Sequence, residues 1–278
     1  MQLMGAQWRL FAFFSHLELM PQFYRVLRMR KVFYVRKWRS CFANLYSGLL
    51  HIAFFCRQPE IARQLISNGA DAENINLRGT TPLSHLFQPH QESNLASVAE
   101  LIDILTPHSL SGINTQCCEG WTPLHRAAAY GTGQDVESLV KRGANLTLRT
   151  SREQWVPIFL AVNSKNIETF EQLVRYSPPS CIQDSDVRGW TMLHIAAALG
   201  NSELVARLVS LGADPHVRSH SSSNELVPEE MHGMQLTPAD VAKISGVNEY
   251  RMYVYGLRSA GVDISSDSEE IFWPAESK

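Results

Sequence analysis

Three histidines and a cysteine pair are the residues of this sequence most suited to chemistry. His51, His125 and His194 each follow a leucine within a similar short segment, and Cys117 adjoins Cys118. A histidine can act as a general base or a metal ligand, and adjacent cysteines can bind metal or be oxidised. The three histidines recur at the same position of a segment that is repeated along the chain, described below. This recurrence indicates instead that each imidazole bonds to backbone across the turn between one repeat unit and the next. The cysteines fall in one such turn, where we expect no metal.

Signatures of catalysis are missing from the sequence. It has no G-x-S-x-G segment, no glycine-rich phosphate loop and no C-x-x-C pair, so nucleophilic catalysis, nucleotide binding and zinc binding are not indicated. We therefore predict no catalytic, cofactor-binding or metal-binding residues. No stretch outside the repeats is long enough for a catalytic domain, so we expect that the protein is not an enzyme.

Composition is that of a folded domain, because 45% of the 278 residues are hydrophobic and 19% are charged. Five cysteines are an odd number for a disulfide framework, which favours a reducing compartment. No run approaches the 18 apolar residues of a membrane span, and Leu10–Phe14 is too short for a signal-peptide core. We expect a location in the cytoplasm or the nucleus.

A repeated segment dominates the middle of the chain. The residues TPLHRAA at 122–128 recur as TMLHIAA at 191–197, and Gly131 and Gly200 follow at one common offset. Further on, GAN at 143–145 matches GAD at 212–214, again at one offset. Weaker copies give unit starts at 48, 81, 122, 156, 191 and 237, a basic period near 33 residues with insertions near 88–95 and 219–231.

Each unit has the pattern of two short helices. Threonine followed by proline favours a helix start, because the hydroxyl can cap and proline fits the first turn. Small residues such as Ala127 and Ala128 allow close packing on both sides, and we expect the glycine after them to be left-handed. A second helix then shows apolar pairs one turn apart, such as Leu204 and Leu208. The polar stretch around Gly79, Gly120 or Gly189 makes the turn to the next unit.

These segments resemble the ankyrin repeat, whose signature is T-P-L-H-x-A at this period. The resemblance covers residues 45–264 and implies an all-α solenoid of about six helix-turn-helix units, joined by short turns or hairpins and stabilised by stacking. The second unit has Ser84 in place of the motif histidine, and the unit at Val156 keeps only VPIFLA. The acidic stretch 265–278 is expected to be a loose tail.

Residues 1–44 form a basic head that does not fit the repeat. They hold eight of the 25 Lys/Arg residues and a single carboxylate, Glu18. Seven of these cations lie between Arg25 and Arg39; we interpret them as a solvated helix face, and a nucleic-acid or membrane contact is the alternative. We expect no nucleic-acid partner.

The head has two interpretations that the sequence leaves open. It is expected to be a short helical cap on the stack. Residues 13–34 also resemble a degenerate F-box, as in fungal proteins that pair such a head with ankyrin repeats, although the Leu-Pro-x-Glu opening of that family is absent. The resemblance implies docking to the adaptor of a cullin-type ubiquitin ligase through these residues: Phe14, Leu17, Leu19, Phe23 and Leu27.

Trp121, Trp155 and Trp190 each immediately precede a unit start. They should align along one edge, either packed between turns or exposed as an aromatic row of the kind favoured in interfaces. Because the unit at Val156 is degenerate, we expect Trp155 to be the least fixed by packing and to contribute most to binding.

The ankyrin resemblance implies that a partner protein docks on the concave surface of turns and first helices. We therefore predict a non-catalytic protein-binding scaffold; the alternative is a substrate receptor of a ubiquitin ligase, with the repeats binding the target. Carried over by position, the expected contact residues are Arg78, Thr80, Glu119, Trp121, Tyr130, Arg152, Trp155, Asn163, Arg188, Trp190 and Leu199.

Overall fold

A computed structural model describes residues 45–87, 98–105, 111–221 and 232–262. The basic head, with the expected adaptor-binding residues Phe14, Leu17, Leu19, Phe23 and Leu27, lies outside the described residues. So do the acidic stretch 265–278 and most of both insertions.

The described residues form a succession of short helices, and the predicted all-α class is confirmed. They contain no strand, only an isolated bridge between Ser185 and Thr191. The α-helices are α1 (Leu45–Phe55), α2 (Pro59–Ser67), α3 (Val98–Leu105), α4 (Pro123–Tyr130), α5 (Gly133–Lys141), α6 (Pro157–Asn163), α7 (Ile167–Tyr176), α8 (Met192–Ala198), α9 (Ser202–Ser210), α10 (Pro238–Ser245) and α11 (Val247–Ser259).

Each unit consists of an inner element followed by an outer helix. The inner elements are α1, α4, α6, α8 and α10, and the outer helices are α2, α3, α5, α7, α9 and α11. The second unit differs, because its inner element is only a 3-10 turn, Leu83–Leu86. Its Ser84 contacts the Thr81 hydroxyl at 3.2 Å where other units have a histidine.

The signature residues start the inner helices as predicted where they are complete. The Thr122 side chain accepts a hydrogen bond from the His125 backbone amide, and Thr237 caps α10 in the same way through Asp240. Val156 makes no such bond at the start of α6. Behind the caps, paired alanines such as Ala127 and Ala128 are fully buried, which lets adjacent inner helices approach closely.

The motif histidines join neighbouring units, and their predicted structural role is confirmed. The Nε2 atoms of His51, His125 and His194 lie 2.9–3.0 Å from the backbone carbonyls of Thr80, Trp155 and Leu236, respectively. The backbone amide of Thr122 donates to Nδ1 of His125 at 3.2 Å. Since Nδ1 accepts there, the proton must be on Nε2, which donates to the next unit.

The turns between units form hairpin-like fingers: residues 76–80, 117–121, 150–155 and 186–190. Successive fingers are joined by backbone bonds, in which Cys118, Ser151, Val187 and His220 donate to Arg78, Glu119, Glu153 and Arg188 of the preceding finger at 2.8–3.2 Å. We call this the finger row. It confirms the predicted hairpin connections and fixes the side chains of one finger relative to the next.

Close approach between fingers explains why two fingers have a glycine directly before the tryptophan. Gly120 and Gly189 have φ values of +76° and +75°, and a Cβ at either would lie 2.5 Å from a backbone nitrogen of the next finger. The third finger has Gln154 at this position, with φ of +60°. The expectation for the glycines after the inner helices is correct for Gly200, at φ +61°, and wrong for Gly131, whose backbone is extended with φ of −93°.

Candidate protein-binding surface

Nine of the eleven expected contact residues reach the surface. Arg78, Glu119, Tyr130, Arg152 and Asn163 are exposed, and Trp121, Trp155, Arg188 and Leu199 are half-buried. Thr80 and Trp190 are only 3% and 7% exposed, so they cannot provide a docking surface. Their places in the expected contact set are therefore corrected to structural ones.

Both buried residues are held by neighbouring side chains. The hydroxyl of Thr80 lies 3.0 Å from Nε2 of His85, and its carbonyl accepts the bond from His51. Trp190 stacks on His194, with ring centroids 6.1 Å apart, and the Arg188 guanidinium lies 4.1 Å from the Trp190 ring centroid.

A buried carboxylate, Asp186, organises the third and fourth fingers. Its Oδ1 accepts from the backbone amides of Arg188 and Trp190 at 2.8 and 3.0 Å. Its Oδ2 accepts from the Arg188 guanidinium at 2.6 and 2.9 Å and from the indole nitrogen of Trp155 at 3.0 Å. The Asp186 side chain is fully buried and that of Arg188 is 12% exposed. All five bonds therefore form away from bulk solvent.

This arrangement overturns the expectation that Trp155 is the least fixed of the three tryptophans. The indole is tied to the next finger through Asp186 and stacks on Phe159 at a centroid distance of 6.4 Å. The loss of the threonine and histidine from its own unit is offset by a partner that lies 31 residues later in the chain. Trp155 is half-buried and structural.

Trp155→Phe should lower the free energy of unfolding by about 1.5–3 kcal/mol, because it removes a hydrogen bond to a charged acceptor. Urea unfolding of the full chain measures this. The matched control is Trp121→Phe, since no hydrogen bond from the Trp121 indole occurs in the described part of the chain, and the control should cost under about 1 kcal/mol. Equal losses for the two variants would contradict the structural role of the Trp155 bond.

A second aromatic cluster is open to solvent. Trp121 stacks on Tyr130 with ring centroids 6.4 Å apart, and the Arg126 guanidinium carbon lies 5.8 Å from the Trp121 centroid. Tyr130 is 43% exposed and the other two side chains are half-buried. We call these three residues the Trp121 cluster. Arg126 was missed at the sequence level; it occupies the variable position of the TPLHxA motif, where a side chain can point away from the core.

Exposed apolar side chains lie at the ends of the finger row. Leu77 and Ile75 of the first finger are 76% and 58% exposed, and Val187 of the fourth is 42% exposed. They fall within polar turns, where no apolar pattern marks them in the sequence. Single apolar side chains on a surface are common, so these residues alone do not mark a contact surface.

Three arginines of the outer helices and their ends pair with carboxylates of adjacent units. Arg63 bonds Glu100 at 2.8 Å, Arg142 pairs with Asp103, and Arg207 bonds Glu171 at 2.5 and 2.9 Å. Each pair joins residues 36 to 39 positions apart, so it bridges adjacent units.

Arginines on the other side have no such partners. Within the described ranges, Arg78, Arg126 and Arg152 form no ion pair, and neither do Glu119 and Glu153 of the finger row. The Nε atom of Arg126 is buried without a hydrogen-bond partner. The finger row and inner elements thus carry charges that the described part of the protein does not neutralise.

His85 lies where two of these arginines act together. Burial and then the nearby charges of His51, Arg126 and Arg78, in decreasing order of effect, together lower the pKa of His85 from 6.5 to about 3. No carboxylate acts in the opposite direction. Arg78 and Arg126 therefore belong to one positive region, around the finger and inner element of the second and third units.

The described ranges contain neither a membrane-spanning helix nor a cluster of metal ligands. Every helix in them is too short or too polar to cross a membrane. Their His, Cys, Asp and Glu side chains do not form any group of three or more that could hold a metal ion.

The fold and the sequence together place the protein in a family. The family model of ankyrin repeats matches residues 49–150 and 136–219, more than half of the chain. The chain belongs to the ankyrin-repeat family. This confirms the predicted ankyrin-repeat solenoid.

Individual relatives are ankyrin proteins of larger size. The chain is 40% identical over 104 residues to human NF-kappa-B inhibitor alpha, covering 37% of this chain and 32% of the relative. It is 26% identical over 178 residues to the chicken nuclear factor NF-kappa-B p105 subunit, covering 63% of this chain and 17% of the relative. It is also 26% identical over 184 residues to the mouse B-cell lymphoma 3 protein homolog, covering 66% and 40%. The match spans less than half the length of each of these relatives.

Proposed function

We propose that the protein is a non-catalytic binding module that holds a partner protein against its finger row and inner elements. The observation that carries this proposal is the Trp121 cluster, in which an exposed tyrosine stacks on a half-buried tryptophan beside an arginine that has no ion-pair partner among the described residues. Tryptophan, tyrosine and arginine are the residues that most often dominate binding energy in protein interfaces. The outer helices, where three arginines are already paired between units, are a poorer docking surface.

The family relationship supports the same role. Ankyrin repeats are interaction modules, and one relative is by its name an inhibitor of another protein, NF-kappa-B. A location in the cytoplasm or the nucleus fits such a role. The proposed contact residues are Arg78, Glu119, Trp121, Arg126, Tyr130, Arg152, Asn163 and Leu199, with the exposed edges of Trp155 and Arg188.

Site-specific photocrosslinking tests where a partner binds. A benzophenone amino acid in place of Tyr130 should capture a partner in cells that express the full chain, whereas the same probe in place of Arg175, exposed on outer helix α7, should not. Adding Trp121→Ala to the Tyr130 probe variant should reduce capture about 10-fold, in line with a loss of 1–2 kcal/mol at a binding hot spot.

Two outcomes would contradict the proposal. One is equal capture from positions 130 and 175, and the other is capture that Trp121→Ala leaves unchanged while the chain stays folded. A hydrolase or transferase activity that copurifies with the full chain and is lost on a repeat-surface substitution would overturn its non-catalytic part.

A second candidate function rests on the F-box resemblance of residues 13–34. In that case the head recruits the adaptor of a cullin-type ubiquitin ligase and the repeats choose the target. The crosslinking sample separates the two functions: recovery of the adaptor, lost on Leu17→Asp but retained on Trp121→Ala, supports the ligase role. Recovery of a repeat-bound partner without the adaptor leaves a binding module alone.

A further inference from the structure

We propose that the partner presents an acidic segment, with an Asp or Glu carboxylate held between Arg78 and Arg126 and an adjacent apolar side chain packed on Trp121 and Tyr130. This inference rests on the proposed function and names the chemistry that the surface recognises.

The guanidinium of Arg126 has no ion-pair partner among the described residues. Its Nε atom is buried without a hydrogen-bond partner. An unsatisfied buried donor on a charged group destabilises the folded protein. Because Nε is buried, a carboxylate that approaches from solvent would bond to the two terminal nitrogens of the guanidinium, from which it can accept two hydrogen bonds in a planar arrangement. The free protein therefore carries a charge that an acidic ligand would complete.

Two arginines, Arg78 and Arg126, add positive charge around the same residue, His85. No carboxylate offsets them there. His85 itself stays neutral at physiological pH, since its pKa is about 3. The positive potential of this region therefore comes from the two arginines.

Aromatic rings lie beside the Arg126 guanidinium. The stacked Trp121 and Tyr130 rings offer an apolar face within reach of the same guanidinium. Glu119, exposed on the finger that carries Trp121, disfavours a densely acidic ligand at the turn tip. The geometry thus fits a segment with one or two carboxylates next to an apolar side chain, rather than a long acidic run.

Some arginines of the outer helices differ from Arg126 in having carboxylate partners. There, arginines such as Arg63 and Arg207 already bond to carboxylates of adjacent units, Glu100 and Glu171. A carboxylate ligand would have to displace these protein partners, whereas at Arg126 it meets no carboxylate of the described residues.

A peptide selection tests the inference without a known partner. Random 12-residue peptides displayed on phage are selected on the full chain, with Trp121→Ala as the counter-selection. We expect the recovered peptides to be enriched in Asp or Glu beside an apolar residue. Arg126→Gln and Arg78→Gln should each weaken a recovered peptide about 10-fold, the scale of a charge-assisted hydrogen bond.

Three controls sharpen the result. Arg175→Gln, on the outer face of α7, should leave affinity unchanged. Arg126→Lys should retain part of it, because the charge persists while the paired geometry is lost. Replacing Glu by Gln in the recovered peptide should weaken binding to the natural chain and have little further effect on Arg126→Gln.

The outcomes distinguish this inference from the function on which it rests. Peptides that require Trp121 but carry no acidic enrichment, or tolerate Arg126→Gln, would overturn the acidic segment and leave the binding module intact. If every binder is independent of Trp121, so that no peptide survives the counter-selection, both are overturned. Binding of a synthetic peptide of residues 263–278 as tightly as the selected peptides would assign the site to the chain's own acidic segment and overturn the commitment to a partner.

Discussion

Asp186→Ala should lower the free energy of unfolding by about 3–5 kcal/mol, the range for removing one partner of a buried ion pair. The substitution leaves the Arg188 guanidinium, the Trp155 indole and two backbone amides without their acceptor. Urea unfolding followed by far-UV circular dichroism measures the loss. Because Asp186 links the third and fourth fingers, the transition should also broaden as the stack loses cooperativity.

Asp184 provides the matched control two residues earlier. It bonds Arg149 at 2.6 and 2.8 Å, but the two side chains are 30% and 36% exposed. Removal of a partly exposed pair costs about 1 kcal/mol or less. If Asp184→Ala destabilised the protein as much as Asp186→Ala, the buried network would not be what holds the two fingers together.

Mild acid should destabilise the protein through its buried motif histidines. Burial lowers the pKa of His125 from 6.5 to about 4 and lowers the pKa of His194 as well. The unfolded chain takes up a proton near pH 6.5, while folded His125 does so only near pH 4. Stability is therefore complete above pH 6.5 and is lost progressively as the pH falls toward 4.

The expected size for His125 alone is about 2 kcal/mol lost between pH 7 and pH 5, at 1.36 kcal/mol for each unit of separation between the two pKa values. Urea midpoints measured at pH 7, 6 and 5 give the slope. His125→Gln should be less stable at pH 7 and should show a shallower fall toward pH 5. A variant whose midpoints fall in parallel with those of the natural chain would exclude His125 as a source of the acid sensitivity.

The repeat pattern predicted the architecture because its signals are local. The threonine caps, the proline at the first helical turn and the glycine turns each act within a few residues, so Thr122, Gly120 and Gly189 could be assigned from spacing alone. The structural role of the motif histidines could also be predicted, because an imidazole that recurs at the same position in three units is expected to make the same contact in each of them.

The binding surface was only partly predictable, because the decisive contacts join distant residues. Trp155 is fixed by Asp186 in the next finger, and that bond has no signal in the degenerate unit around Val156. A signal did exist at Asp186 itself. Asn76 occupies the same place in the first finger and accepts backbone bonds at 2.8 and 3.1 Å, just as Asp186 does. Comparing the two would have shown that the carboxylate has a second oxygen to share.

The reduced second unit has a consequence for how the stack opens. Its inner element is a single 3-10 turn, and Ser84 cannot reach the next unit as His51, His125 and His194 do. In a repeat array, local opening begins where the coupling between neighbours is weakest. Amide protons of the first two units should therefore exchange with solvent sooner than those of α4 to α9, which makes this seam a natural hinge beside the Trp121 cluster.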